Sequence, residues 1–433
     1  MNLLPPWHWR GLLALAVFAP TLGAAYPLDG SAQTGIARLE GYFLAQQGDV
    51  PGPRQPPGAL LSTEAVDLRL MGARDLTLPE PDAPFSQAVK RLLGAHADRY
   101  GVAVLDLSDL RRPRYAEHRG EARFNPGSVG KLLVALALFQ ELADLYPDDI
   151  PARLRVLRGT QMVADDYIQA DEHNVPFWDP TRRRLTHRPL VVGDRASLYT
   201  YLDWMLSASS NAATSMVMKH TLLIAHFARH YPVSEEQAAA FFRDTPPAKL
   251  SALLARVMQS PLGRNGLPMD RLRQGSFFTR EGKRRIPGTS NYANPRQLLR
   301  LLLLLEQGRL VDPFSSREIK RLLYLTQKRI RYASAPALGD AAVYFKSGSL
   351  YRCTPEPDFT CGKYQGNVVN FMSSVAIVEA PAQSRDRFYL VAVMSNVLRD
   401  NQAVAHQTLA TRLHRLISSH HQAGRAESGS APR

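Results

Sequence analysis

The chain has 433 residues, 45% hydrophobic and 21% charged, which supplies enough apolar side chains for a sizeable core and excludes wholesale disorder and collagen-like or coiled-coil character. Its 53 Lys+Arg outnumber 39 Asp+Glu for a formal charge of +14, but only nine of the basic residues are Lys, and the arginines are scattered along the chain. A scattered excess argues against nucleic acid as a partner and is compatible with an anionic cell envelope.

Residues Met1 to Ala25 read as a secretory signal: Arg10 ends a short n-region, Gly11 to Phe18 is apolar, and Gly23-Ala24-Ala25 supplies the small residues of a cleavage site. The apolar run is too short to span a bilayer, so cleavage near Ala25 is expected to leave a periplasmic or secreted protein without a stable membrane anchor. Residues 26 to 84 form an extension of unassigned role, in which Pro51 to Gly58 and Leu78 to Pro84 are breaker clusters and the alternating Val66 to Leu70 predicts a short strand.

From Pro84 onward the pattern tightens, and residues 85 to 419 read as one unit. Phe85 to Arg99 has helical spacing, Val102 to Leu105 reads as a buried strand, and a turn at Arg111 to Arg114 returns the strand-like Tyr115 to Glu117. Lys131 to Tyr146 is apolar nearly all the way round, which marks a helix buried on every side. From about 129 to 330 the pattern is helical with long loops, including Leu198 to Met205, Ala212 to His230 and Asn294 to Glu306. Strand signals return at Ala341 to Phe345, Asn370 to Val378 and Phe388 to Met394, followed by a helix over Gln402 to Ser418 and a polar tail, 420 to 433, expected to be disordered. Early and late strands are therefore predicted to pair in one sheet of an α+β unit, with an all-helical lobe inserted and a cleft between the two.

Three short motifs carry chemistry. Ser128-Val129-Gly130-Lys131 opens the buried helix, so both side chains fall on one face. A serine there needs a base, and an amine one turn along serves if burial and a second cation lower its pKa from the ordinary ~10.4. Ser209-Ser210-Asn211 lies between two helical segments, where hydroxyl and amide can relay a proton and orient a carbonyl; its plain structural alternative is a helix N-cap. Lys346-Ser347-Gly348-Ser349 continues a late strand, and period-two alternation aims Lys346 and Gly348 to one side and Ser347 to the other. On an edge strand it can offer the Ser349 N–H to a carbonyl and a cation to a carboxylate.

In this order and context the chain resembles the penicillin-recognising serine enzymes, the serine β-lactamases and penicillin-binding proteins, most closely the class A β-lactamase domain, from about Pro84 to Ser418. The resemblance implies an antiparallel five-stranded sheet flanked by helices. It implies Ser128 as acylated nucleophile, Lys131 as its base, Ser209 as proton relay and Asn211 as a substrate-amide contact. Lys346 and Ser347 would hold the substrate carboxylate, and the N–H groups of Ser128 and Ser349 would form the oxyanion hole.

The chain departs from the class A pattern in one consequential place. The interval Ala212 to Phe345 is long and holds no clear Glu-x-x-x-Asn; Glu281 is the nearest candidate for a deacylation base, but Arg280 and Lys283 beside it point to a solvated ion pair. Ser210 also stands where class A carries Asp, and Ser347 where it carries Thr. Acyl-serine chemistry is expected, on a β-lactam or related amide, with D-alanyl-D-alanine carboxypeptidase or endopeptidase action on peptidoglycan, or a non-turnover penicillin-binding sensor, as the alternatives.

Other readings are weaker. Asn125 and Leu132 spoil a phosphate loop around Gly127 to Lys131, Pro126 spoils a Gly-x-Ser-x-Gly elbow, and His226 and His230 lack the acidic neighbour of a zinc protease. Cys353 and Cys361 share one loop, where an oxidising compartment permits a disulfide. No cofactor or metal is expected.

Overall fold

The computed structural model describes residues 28–326 and 329–429, so the signal segment read at Met1 to Ala25 lies outside the described residues. The extension opens with α1 (Ser31–Thr34) and α2 (Arg38–Gln47), and α3 (Ala83–Leu92) leads into the hairpin of β1 (Tyr100–Asp106) and β2 (Arg114–His118). The inserted lobe runs through α4 (Lys131–Leu145), α5 (Ile150–Gly159), α6 (Leu198–Leu206), α7 (Asn211–Phe227), α8 (Glu235–Asp244), α9 (Pro247–Arg264), α10 (Arg280–Arg285), α11 (Pro295–Glu306) and α12 (Pro313–Tyr324). This lobe is not wholly helical: β3 (Gln161–Val163) pairs with β6 (Arg195–Ser197), and β4 (Val175–Asp179) with β5 (Arg184–Arg188), as two antiparallel ribbons. The chain returns through β7 (Ala342–Arg352), β8 (Val369–Ala380) and β9 (Arg387–Asn396), and α13 (Gln402–Gly429) closes it.

Early and late strands join in one five-stranded antiparallel sheet of order β2-β1-β9-β8-β7. Alternation assigns its two faces. Val102, Val104, Val343, Phe345 and Val391 pack on one side with Phe85 and Val89 of α3 and Leu413 of α13, while Ala103, Leu105, Tyr344 and Leu390 join the larger core on the other. Helix α4 is central to that core, with Leu132 through Phe139 each at most 1% exposed. Helix starts are set by local chemistry: Asp82, Asp149, Asn294 and Asp312 each accept a backbone N–H of the first turn, and each is followed by a proline within that turn.

The extension is built into the core rather than hanging from it. Ile36, Leu39, Val66, Leu68 and Leu70 are buried in the main cluster. Val66 to Leu70 forms no strand, contrary to its alternation, because its backbone is consumed by a helix end: Arg69 N donates to Glu306 Oε2 and Leu70 N to Glu306 O. Burial of alternate residues explains the pattern without a partner strand. The terminal helix also departs from expectation, since α13 continues to Gly429 where a disordered tail was expected from 420.

A buried ion pair bolts the extension to the helical lobe. Arg38 donates from Nε to Asp203 Oδ2 at 2.6 Å and from Nη2 to Asp203 Oδ1 at 2.5 Å, and reaches Leu325 O at 2.9 Å. The two side chains are 3% and 0% exposed. Removing one member strands the other charge, so Arg38→Met is expected to lower the unfolding free energy by about 3–5 kcal/mol. Denaturant titration checks this; a loss under ~1 kcal/mol would mean that the extension is held by its apolar residues alone.

Candidate active site

Three remote segments meet at the junction of sheet and helical lobe. The first is the 3₁₀ turn Gly127–Gly130 that runs into α4. Ser128 is half-buried in this turn, three residues ahead of Lys131, the first residue of α4. The second is the turn into α7, where Ser210 is the N-cap and accepts from Ala213 N at 3.0 Å. The middle residue of the tripeptide thus caps the helix, while its flanks, Ser209 and Asn211, both bond Lys131. Ser209 takes φ +61, a left-handed conformation that a non-glycine residue adopts at a cost of order 1–3 kcal/mol and that concentrates at functional sites.

The third segment is β7, an edge strand of the sheet. It passes so close to the Ser128 turn that only glycine fits at the crossing. A Cβ on Gly348 would lie 2.3 Å from Pro126 O and 2.5 Å from Ser128 N, and one on Gly127, at φ +52, would lie 2.9 Å from Ser349 N. The backbone nitrogens of Ser128 and Ser349 are thereby brought to one place.

Two buried amines converge on one hydroxyl. Lys346 Nζ donates to Ser209 Oγ at 2.8 Å, and Lys131 Nζ reaches the same oxygen at 3.4 Å. Lys131 Nζ also donates to Ser209 O at 2.5 Å and Asn211 Oδ1 at 2.8 Å. Burial lowers the Lys131 pKa to about 7, with Asp171 opposing the shift; burial holds Lys346 well below the usual lysine range, and the charges of Lys131 and Arg331 push it the same way. Both ammonium groups cannot comfortably stay charged in so small a volume.

Ser347 and Ser349 project from the other face of β7, as the period of two requires. Both hydroxyls accept from Arg331, at 2.8 Å from Nη1 and 3.1 Å from Nη2. Sequence reading missed Arg331, which precedes β7 by a loop and takes φ +52. Its guanidinium lies 4.5 Å from the ring centre of Tyr364, and Cys353 and Cys361 are bridged in the loop after β7, with Cα atoms 6.2 Å apart.

Glu281 does not join the cluster. Its carboxylate accepts from Arg284 and Arg285, not from the Arg280 and Lys283 anticipated, and these hydrogen bonds hold its pKa down at about 2. The aromatic ring of Phe278 instead lies 5.0 Å from Lys131 Nζ, a contact that no local motif marks along the chain. Among the described residues no group of three or more His, Cys, Asp or Glu could hold a metal ion, and no helix is long and apolar enough to cross a membrane. His226 stacks on Phe241 at 4.2 Å.

A sequence model of the beta-lactamase enzyme family matches residues 186–417, just over half of the chain. The chain belongs to that family. The matched segment carries Ser209-Ser210-Asn211 and Lys346-Ser347-Gly348-Ser349 and begins after Ser128 and Lys131, which the fold itself carries to the same place. A search of curated proteins gives no significant match. Among solved structures, the chain is similar to a β-lactamase from Sphaerobacter thermophilus DSM 20745, at 16% identity and TM-score 0.48, covering 76% of this chain and 96% of that one. It is similar to PBP-A at 14% identity and TM-score 0.47, covering 79% and 100%. A third is a β-lactamase from Chitinophaga pinensis DSM 2588, at 15% identity and TM-score 0.47, covering 77% and 98%. Membership of this serine-hydrolase family rests on the matched segment, not on these superpositions.

Proposed function

We propose that this family member forms an acyl-enzyme on Ser128 with β-lactams or related amides. The observation that carries the reading is the meeting of the Lys131 and Lys346 amines on the Ser209 hydroxyl beside the Ser128 turn. In this reading the neutral Lys131 amine takes the Ser128 proton as Oγ bonds to the substrate carbonyl carbon. The C–N bond then breaks, and the leaving nitrogen receives a proton through Ser209, whose hydroxyl Lys346 polarises. The N–H groups of Ser128 and Ser349 support the oxyanion; each such donor is worth about 10²–10³ in rate.

Asn211 has its amide oxygen occupied by Lys131, which leaves its NH₂ to donate to a substrate carbonyl. Ser347, Ser349 and the Arg331 that bonds both, together with Lys346, supply donors and positive charge for a substrate carboxylate. The Met1 to Ala25 signal reading and the Cys353–Cys361 bridge, which suits an oxidising compartment, support a cell-envelope location in this proposal.

A second reading has a specific observation in its favour. Lys131 hydrogen-bonds to no carboxylate among the described residues, one side of it is covered by Phe278, and Glu281 is tied to two arginines. Among the described residues no carboxylate is thus hydrogen-bonded to Lys131 as a base for the hydrolytic water, and slow deacylation is expected, as in a peptidoglycan D-alanyl-D-alanine peptidase or a penicillin-binding sensor. Incubation with a fluorescent penicillin, followed by gel and mass measurement, separates these outcomes. Label that turns over within seconds supports β-lactam hydrolysis, while label that persists, with D-Ala released from a muropeptide, supports the peptidase. Label that persists without such release supports the sensor. No label with any β-lactam contradicts the acyl-serine reading.

A further inference from the structure

The turn Ser209–Asn211 holds a left-handed serine, and something outside the turn must keep it there. The supporting group is Asp171, 39 residues upstream of Ser210 on the segment between β3 and β4. Asp171 Oδ2 accepts from Ser210 Oγ at 2.8 Å and from Ala212 N at 2.8 Å, so one oxygen ties the cap residue to the first turn of α7. Its other oxygen accepts from His173 N at 3.3 Å and pairs with His173 Nδ1 at 2.5 Å. The Asp171 side chain is 2% exposed, against 43% for His173.

Burial alone would raise the Asp171 pKa, but these hydrogen bonds and the His173 charge hold it at about 2, so the group stays ionised. Of the charges acting on the two lysines, those of Lys131 and Arg331 push Lys346 down, and Asp171, from the helical lobe, is the one whose field favours a protonated Lys131.

We propose that Asp171 is a positioning residue for the acyl-transfer reaction, clamping the Ser209–Asn211 turn onto Lys131 through Ser210 and Ala212 and lending the turn a carboxylate where the class A pattern carries its own Asp. The inference rests on the acyl-serine reading. It separates mechanical from electrostatic action, and each has its own readout.

Asp171→Asn keeps the shape and removes the charge. The Lys131 titration midpoint, followed by NMR with isotope-labelled lysine and assigned with Lys131→Arg, is expected to move to lower pH in this variant, carrying the acid limb of the acylation profile with it. Asp171→Ala also removes the clamp. Its acylation rate on the high-pH plateau, where the lysine is neutral in every variant, is expected to fall about 10²-fold, the scale of a misplaced reacting group. Adding Ser210→Asp to Asp171→Ala is expected to restore most of that loss, which a general loss of fold would not allow.

An unmoved Lys131 midpoint in Asp171→Asn, or a plateau rate in Asp171→Ala within about threefold of the parent, would overturn the proposal. If Asp171→Ala does not fold, the Asp171→Asn titration decides alone. A parent protein that no β-lactam labels would instead overturn the acyl-serine reading, while the Lys131 midpoint still reports whether Asp171 acts on that amine.

Discussion

Ser128→Ala is expected to abolish covalent labelling by any β-lactam, a loss of at least about 10³-fold and, on the scale of nucleophile removal in serine hydrolases, up to about 10⁶-fold. The substitution takes away one oxygen from a half-buried position at the mouth of the turn, so stability should change by no more than about 0.5 kcal/mol. A matched melting curve with absent labelling therefore isolates the chemistry from the fold. Residual labelling at more than a few per cent would move the nucleophile elsewhere.

The second large effect is on the base. Lys131 titrates at about 7 because burial disfavours its charged form, so the neutral amine predominates above that pH and vanishes below it. The acylation rate should accordingly rise with pH through about 7 and level off above it. Lys131→Arg keeps a cation in place that cannot give up its proton, and is expected to cost about 10²–10⁴-fold with the acid limb gone. The sign is diagnostic: an ammonium acting only as a charge would favour low pH, and arginine would then replace it with modest loss. A parent profile flat between pH 6 and 8, or an arginine variant within tenfold of the parent, would remove Lys131 from the base role.

How much of this could be read from the sequence depended on whether the signal was local. Helix α4 was legible because a run from Leu132 to Phe139 with no polar residue has only one stable home, inside a core. The sheet was legible because short apolar strands at both ends of the chain need partners, and Val104 does pair with Val391. The site motifs were legible for the same reason: each is a short stretch with its chemistry in adjacent residues.

What stayed hidden acts across distance. Arg38 and Asp203 are 165 residues apart, Asp171 and Ser210 are 39 apart, and Arg331 is one of many arginines with no local mark of its contact with Ser347. Val66 to Leu70 misled because alternation reports alternate burial, which an irregular segment against the end of α11 satisfies as well as a strand does. The polar sequence after Ser418 reads as a tail by composition, yet no proline falls before Gly429, and α13 runs on to that residue. Glu281 was singled out by position along the chain, and only the fold shows its oxygens bound to Arg284 and Arg285.

The most direct test is to locate the adduct. After incubation with benzylpenicillin, tryptic digestion and tandem mass spectrometry, the peptide Phe124–Lys131 is expected to carry the full penicilloyl mass on Ser128, with the yield falling as pH drops below about 7. An adduct on any other peptide, or none from a folded protein at pH 8, would contradict the account.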